Sequence, residues 1–157
     1  MKGGEVLKNL RRTHRFALLF SLLSGSVLFF IFRFRQTPFL HEELHEADRI
    51  LQFVLVGLYA LAYLIVYRPH FNKRISGLRR STMAAVEKLE VFRKAIVPLW
   101  ICLSLLCLFC WLAFAGTLNL AYVLLGLTTL FFIWLLVPAP ARVSIILGET
   151  EQTLKEL

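Results

Sequence analysis

Residues 95–141 read AIVPLWICLSLLCLFCWLAFAGTLNLAYVLLGLTTLFFIWLLVPAPA, and this stretch, which contains no Asp, Glu, Lys or Arg, decides the fold. It is long enough for two bilayer crossings, since about 20 apolar residues at ~1.5 Å each traverse the hydrocarbon. Only Gly116, Thr117, Leu118 and Asn119 are available to turn the chain between them, so two antiparallel neighbouring helices are expected. The apolar residues form unbroken runs without the alternation of a barrel wall, which points to helices rather than strands.

Working outward, two more stretches have the same character. Residues 16–32 read FALLFSLLSGSVLFFIF and are framed by Arg15, Arg33 and Arg35; residues 50–67 read ILQFVLVGLYALAYLIVY. The expected fold is therefore all-α, a single-domain integral membrane four-helix bundle over residues 1–157. Its spans fall near 16–32, 50–67, 95–115 and 118–137, with a basic loop over 68–94. Composition agrees: 58% of the residues are hydrophobic and the mean hydropathy is +0.69, whereas soluble domains run at about 45–50% apolar. The basic, then apolar, start resembles a secretory signal. No small-residue cleavage pattern follows Phe32, so an uncleaved span is expected.

Charge orients the bundle. Residues 1–15 carry a net +4 and residues 68–94 a net +6, while residues 33–49 and the tail from Arg142 each carry −1, accounting for the overall +8. By the positive-inside rule both termini and the 68–94 loop are expected on the cytoplasmic side of a bacterial inner membrane. Trp100, Trp134 and Tyr67 would then belong to an inner aromatic belt, Trp111 and Tyr122 to an outer one. The basic balance could suggest nucleic acid, but Lys73, Arg74, Arg79 and Arg80 lie between two spans where no nucleic-acid module fits. Topology and attraction to anionic lipids at the cytoplasmic face explain them, at about 1 kcal/mol per basic residue near the surface. Within this loop Ser81 or Thr82 is a candidate cap for a helix that places Met83, Val86 and Leu89 on one face and runs into the third span at Pro98.

An internal duplication is visible at an offset of 69. Leu51, Val54, Leu55, Gly57, Leu58, Leu61 and Pro69 match Leu120, Val123, Leu124, Gly126, Leu127, Leu130 and Pro138. Each copy is a two-helix hairpin crossing twice, so a parallel repeat of two tandem hairpins is expected rather than an inverted one. Small residues mark candidate packing positions: Ser104, Cys107, Cys110, Ala113 and Gly116 in the third span, Ala17, Ser21 and Gly25 in the first, Gly57 with Ala60 in the second, Gly126 with Thr129 in the fourth. Close backbone approach through such residues supplies the dispersion that hydrophobicity cannot supply inside lipid.

Three patterns bear on chemistry. His41, Glu42, Glu43, Leu44 and His45 match HExxH, in which two His on one helical face hold zinc and the Glu activates water. Catalytic zinc usually takes three protein ligands; Glu46 and Asp48 are nearby acids and no distant partner is evident, so His41, His45 and Glu46 are the metal candidates. The competing reading is a helix start, with Thr37 as cap, Pro38 in the first position and acids complementing the dipole. Cys107 and Cys110 form a CxxC with Cys102 deeper in the same span. No neighbour in sequence stabilises a thiolate, so these behave as small hydrophobes. No ionisable side chain of the kind that serves ion or proton paths lies within a span; Gln52 and Asn119 are amides near the outer boundary.

The short first span after Leu-Arg-Arg-Thr-His-Arg, the basic middle loop, and the exit Leu136, Val137, Pro138 followed by Arg142, Ile145, Ile146, Leu147 and Glu149 resemble a family of small, uncharacterised bacterial four-span proteins. The resemblance implies architecture and no activity. With no complete catalytic site and no cofactor implied, the expected role is a noncatalytic accessory or structural subunit, or assembly factor, of a membrane complex, with other membrane subunits or further copies of itself as partners. A small self-associating channel or carrier is the alternative; a zinc-dependent membrane enzyme using the HEELH segment is the third.

Overall fold

A computed structural model describes residues 3–35, 45–150 and 152–153, and these form an all-α bundle. Two long helices dominate: α1 (Gly3–Arg35) and α4 (Ala85–Thr117), each of 33 residues, or ~50 Å at ~1.5 Å per residue. α2 (His45–Leu61) runs directly into a π-helical segment (Ala62–Asn72), a short α3 (Lys73–Ser76) and a 3-10 turn (Leu78–Arg80). α5 (Leu120–Leu135) and α6 (Pro140–Leu147) complete the chain. Among the described residues, Gly4–Ile31, Asp48–Arg80 and Ala85–Thr117 are each long and apolar enough to cross a membrane. α5 and α6 pass the same test only as a pair, bent by 74°.

α4 is the centre of the bundle. α1 and α5 pack along it, and α2 with its π-helical continuation lies against another side. Among the described residues α1 and α2 make no substantial contact with each other, so they are consecutive in sequence without being packed as a hairpin.

The prolines matched at offset 69 act differently. Pro69 lies inside the π-helical segment, where Lys73 N–H bonds the Arg68 carbonyl five residues back. A proline ring collides with the carbonyl four residues earlier in an α-helix, and the wider turn relieves that collision, so the rod continues. Pro138 and Pro140 stand close together and the helix stops. Leu136 N–H closes α5 on Phe132 and Ile133, at 3.1 and 3.2 Å, and Pro140 takes the first position of α6, where its fixed φ suits a helix start. Leu55 is buried while its sequence match Leu124 is exposed. The two copies share a pattern without sharing an environment.

Residues 68–94 are mostly helical, and among those described Leu78, Lys88, Leu89 and Phe92 are buried while most of the rest are exposed. Leu78 and, from α4, Leu89, Phe92 and Ile96 join Val6 and Leu10 of α1 and Val143 and Leu147 of α6 in one apolar core, which forms a head at the end of the bundle where α1 and α4 begin. Neither Ser81 nor Thr82 caps α4. The N-cap is Ala84, with no side-chain cap, and the Ser81 hydroxyl turns back to donate to the Leu78 carbonyl at 3.0 Å. Met83 precedes the helix and is exposed. α6 is fastened to α4 by Lys88, whose Nζ sits 2.7 Å from Glu149 Oε1 and donates to the Leu147 carbonyl at 3.4 Å. Gly148 ends α6 at φ +69 with Arg79 atoms 3.0 Å from where a Cβ would stand, so both backbone sign and space favour glycine there.

At the opposite end α4 turns into α5 through Leu118, at φ 63, and Asn119. Leu118 N–H bonds the Phe114 carbonyl at 2.8 Å. The Asn119 side chain accepts from Ala121 N–H at 3.0 Å as the N-cap of α5.

Candidate functional site

The helices meet along a seam centred on Trp111. A Cβ on Gly25 of α1 would stand 2.6 Å from the indole, and one on Gly126 of α5 would stand 3.4 Å from it, so the ring lies between two helices that approach through glycine. Nearer the head, His14 is buried, its Nε2 donates to the Ile133 carbonyl at 2.8 Å, and its ring meets Trp100 edge-on at 5.0 Å. Trp100, Trp111 and Tyr122 are therefore core residues rather than belt residues. Trp134 and Tyr67 remain exposed. An amphipathic aromatic ring serves a lipid boundary or a helix contact equally well, and here contact with the neighbouring helices takes three of the five.

α2 is held by two polar ties. In the last turn of α2 the Tyr59 hydroxyl hydrogen-bonds Thr129 and lies 3.4 Å from Cys110 Sγ. Thr129 itself donates to the Leu125 carbonyl at 2.8 Å, so Tyr59 is the donor to Thr129. The relay ends on a backbone carbonyl and works as a strut between helices. At the α4–α5 turn, Asp48 receives the Tyr122 hydroxyl on Oδ1 at 2.7 Å and the Asn119 amide on Oδ2 at 2.9 Å. Gln52 also donates to Oδ2, at 3.2 Å. Both carboxylate oxygens are occupied, and the first turn of α2 is clamped to the turn between α4 and α5.

Of the predicted packing positions, Ser104, Cys107, Cys110 and Ala113 are buried and Gly116 is half-buried. Ser104 points at the Ala17 carbonyl at 3.5 Å, and Cys107 Sγ lies 3.6 Å from the Gly126 carbonyl. Gly57 differs: no described atom lies within 4 Å of where its Cβ would be. The three cysteines are free. His41 falls outside the described residues, and His45 and Glu46 open α2. Among the described residues no group of three or more His, Cys, Asp or Glu is placed to hold a metal ion. No local sequence pattern joins Asp48, Tyr59 and Thr129 to their partners; the sequence pointers are the amides Gln52 and Asn119 and the acid Asp48 near one end, and Thr129 beside Gly126.

Of the three long apolar helices, the one formed by α2 and its continuation has the smallest share of its apolar window buried. Leu51, Leu55 and Tyr59 turn inward, while Phe53, Val56, Gly57, Ala60 and Leu64 face away and are exposed. Along the π-helical segment the rings of Tyr63, Tyr67 and Phe71 stack in a ladder with centroids 5.4 and 5.6 Å apart. Only 6% of the apolar window of this rod is buried within the chain, against 22% for α1 and 44% for α4.

No protein-family model matches the chain, and neither a curated protein nor a solved structure matches it.

Proposed function

We propose that this protein is a noncatalytic accessory or structural subunit, or an assembly factor, of a bacterial inner-membrane protein complex, and that the outward face of α2 is where it joins its partner. On this reading the four apolar stretches cross the bilayer in turn, the third and fourth as a packed hairpin, and the strongly basic amino terminus and 68–94 region lie in the cytoplasm. α5 returns the chain to that side, and the bend into α6 lays the exit helix on the cytoplasmic head.

The observation that carries the proposal is the 6% burial of the second apolar rod. Membrane helices associate through small residues that admit a neighbouring backbone, and Gly57 with Ala60 offers such a place on the uncovered side. Next to it Tyr63 and Tyr67 carry hydroxyl groups on a face otherwise made of hydrocarbon, and a buried tyrosine hydroxyl is stabilised by a protein acceptor. The fitting partner is an apolar helix with small residues and a polar group at the depth of the tyrosines.

Gentle detergent extraction from the native membrane followed by native mass spectrometry tests this. The expected result is a stable assembly with at least one other membrane protein. A lone monomer overturns the proposal. An assembly of copies of this chain alone replaces it with the self-associating channel or carrier, to be read out as flux in liposomes holding only this protein.

A further inference from the structure

We infer that a groove along the outer side of α1 binds one anionic diacyl phospholipid of the cytoplasmic leaflet, with its phosphate on the arginines and an acyl chain laid against the α1–α4 contact. The inference rests on the membrane reading above and names a site within it. α1 has two unlike faces. Val6, Leu10, His14 and Ala17 are buried, while Lys8, Arg11, Arg12 and Arg15, at helical spacings of three and four, are all exposed on the other side. Among the described residues the ion pairs are Lys88–Glu149 and Arg93–Glu90, so none of these four cations is neutralised by one.

The stripe leads into an apolar channel. An open, shallow surface region of about 700 Å³ runs along α1 alone, lined by the four basic residues with Gly4, Leu7, Phe16 and Leu19. A second, of about 550 Å³, begins at the same Phe16 and Leu19 and continues to Leu23, Leu108 and Leu112 between α1 and α4. A basic mouth joined to an apolar trough matches a molecule with a charged head and hydrocarbon tails. The rise from Lys8 to Arg15 is ~10 Å, more than the headgroup layer, about 5–7 Å deep on each side of the hydrocarbon, so the Arg11–Arg15 end of the stripe reaches that layer and Lys8 stands beyond it. Arginine donates in a fork that suits phosphate oxygens. A zwitterionic headgroup would bring its own cation against the stripe, so the site favours lipids of net negative charge.

The full-length chain, delipidated in mild detergent, is titrated with phosphatidylglycerol and, separately, phosphatidylcholine, and bound lipid is counted by native mass spectrometry. One phosphatidylglycerol is expected to bind in preference to phosphatidylcholine. R11Q/R12Q/R15Q should weaken it at least about tenfold, given the strength of attraction per basic residue near a lipid surface, whereas the equal charge loss K73Q/R74Q/R80Q should leave it within about twofold. Leu112→Trp, which fills the trough and keeps every charge, should also reduce it, and glycerol phosphate should fail to compete. Equal loss in both charge variants, equal binding of the two lipids, no effect of Leu112→Trp, or competition by glycerol phosphate overturns the site. Alkaline carbonate extraction separates the two readings: release of the chain removes the membrane assignment itself, while a retained chain without lipid preference removes the site alone.

Discussion

Gly25 and Trp111 are fitted to each other so closely that a Cβ at position 25 would stand 2.6 Å from the indole Cε2. The indole is rigid, and a Cβ at Gly126 of α5 would meet the same Cε2 and Cζ2 atoms at an ordinary 3.4 Å. Gly25→Ala is expected to destabilise the chain by about 1–3 kcal/mol through overpacking, and Gly126→Ala by much less. Thermal unfolding in detergent, followed by tryptophan fluorescence, ranks the two; equal effects would contradict the placement of the ring.

Asp48 and Tyr122 form the clamp on α2. Tyr122→Phe removes a hydrogen bond to a carboxylate and should cost about 1.5–3 kcal/mol. Asp48→Ala leaves the Asn119 amide without its carboxylate acceptor and the buried Tyr122 hydroxyl with only the backbone carbonyl of residue 48, at 3.1 Å, and should cost a comparable amount. Because the groups share one network, the double variant should be less destabilised than the sum of the two singles. Strict additivity in a double-mutant cycle would show that the contact contributes nothing.

The buried ion pair of the head should respond asymmetrically. Side-chain exposure is 7% at Lys88 and 23% at Glu149. Removing Glu149 strands the more buried cation, whereas removing Lys88 leaves a carboxylate that reaches water. Glu149→Ala is thus expected to cost on the order of 2 kcal/mol, and Lys88→Met less. Hydrogen exchange across α6 should accelerate more in the first variant; the reverse order would mean that Lys88 acts mainly by holding the Leu147 carbonyl.

How much of this was legible in the sequence divides along physical lines. The uncharged run at 95–141 and the few residues able to turn it led directly to antiparallel α4 and α5, because backbone satisfaction in an apolar medium leaves helices as the simple solution for unbroken apolar runs. What a side chain faces was not legible. Trp100, Trp111 and Tyr122 read the same in sequence whether they meet lipid or another helix, and Gly57 reads like Gly126 although one opens outward and the other meets an indole. The π register around Pro69 was also hidden, since the same proline predicts a kink, a stop or a widened turn depending on what the chain packs against. The Asp48 clamp joins residues 71 and 74 positions apart, a separation that no local pattern announces.

Gly57 separates stability from assembly. With no described atom beyond its own helical turn within 4 Å of where its Cβ would stand, Gly57→Ala should leave the isolated chain as stable as before, or more stable by up to about 1 kcal/mol through helix propensity. Gly57→Leu should likewise spare the isolated chain and reduce the yield of the assembly recovered from membranes. If both variants lower the stability of the isolated chain, this face is packed internally and the uncovered surface lies elsewhere.

Site-specific photo-crosslinking from position 56 in native membranes tests the central claim most directly, because Val56 lies beside Gly57 on the outward face and is exposed. A discrete adduct with another membrane protein, lost on Gly57→Leu, is the expected outcome. Crosslinks to lipid alone would contradict the account and leave α2 as a helix that simply faces the bilayer.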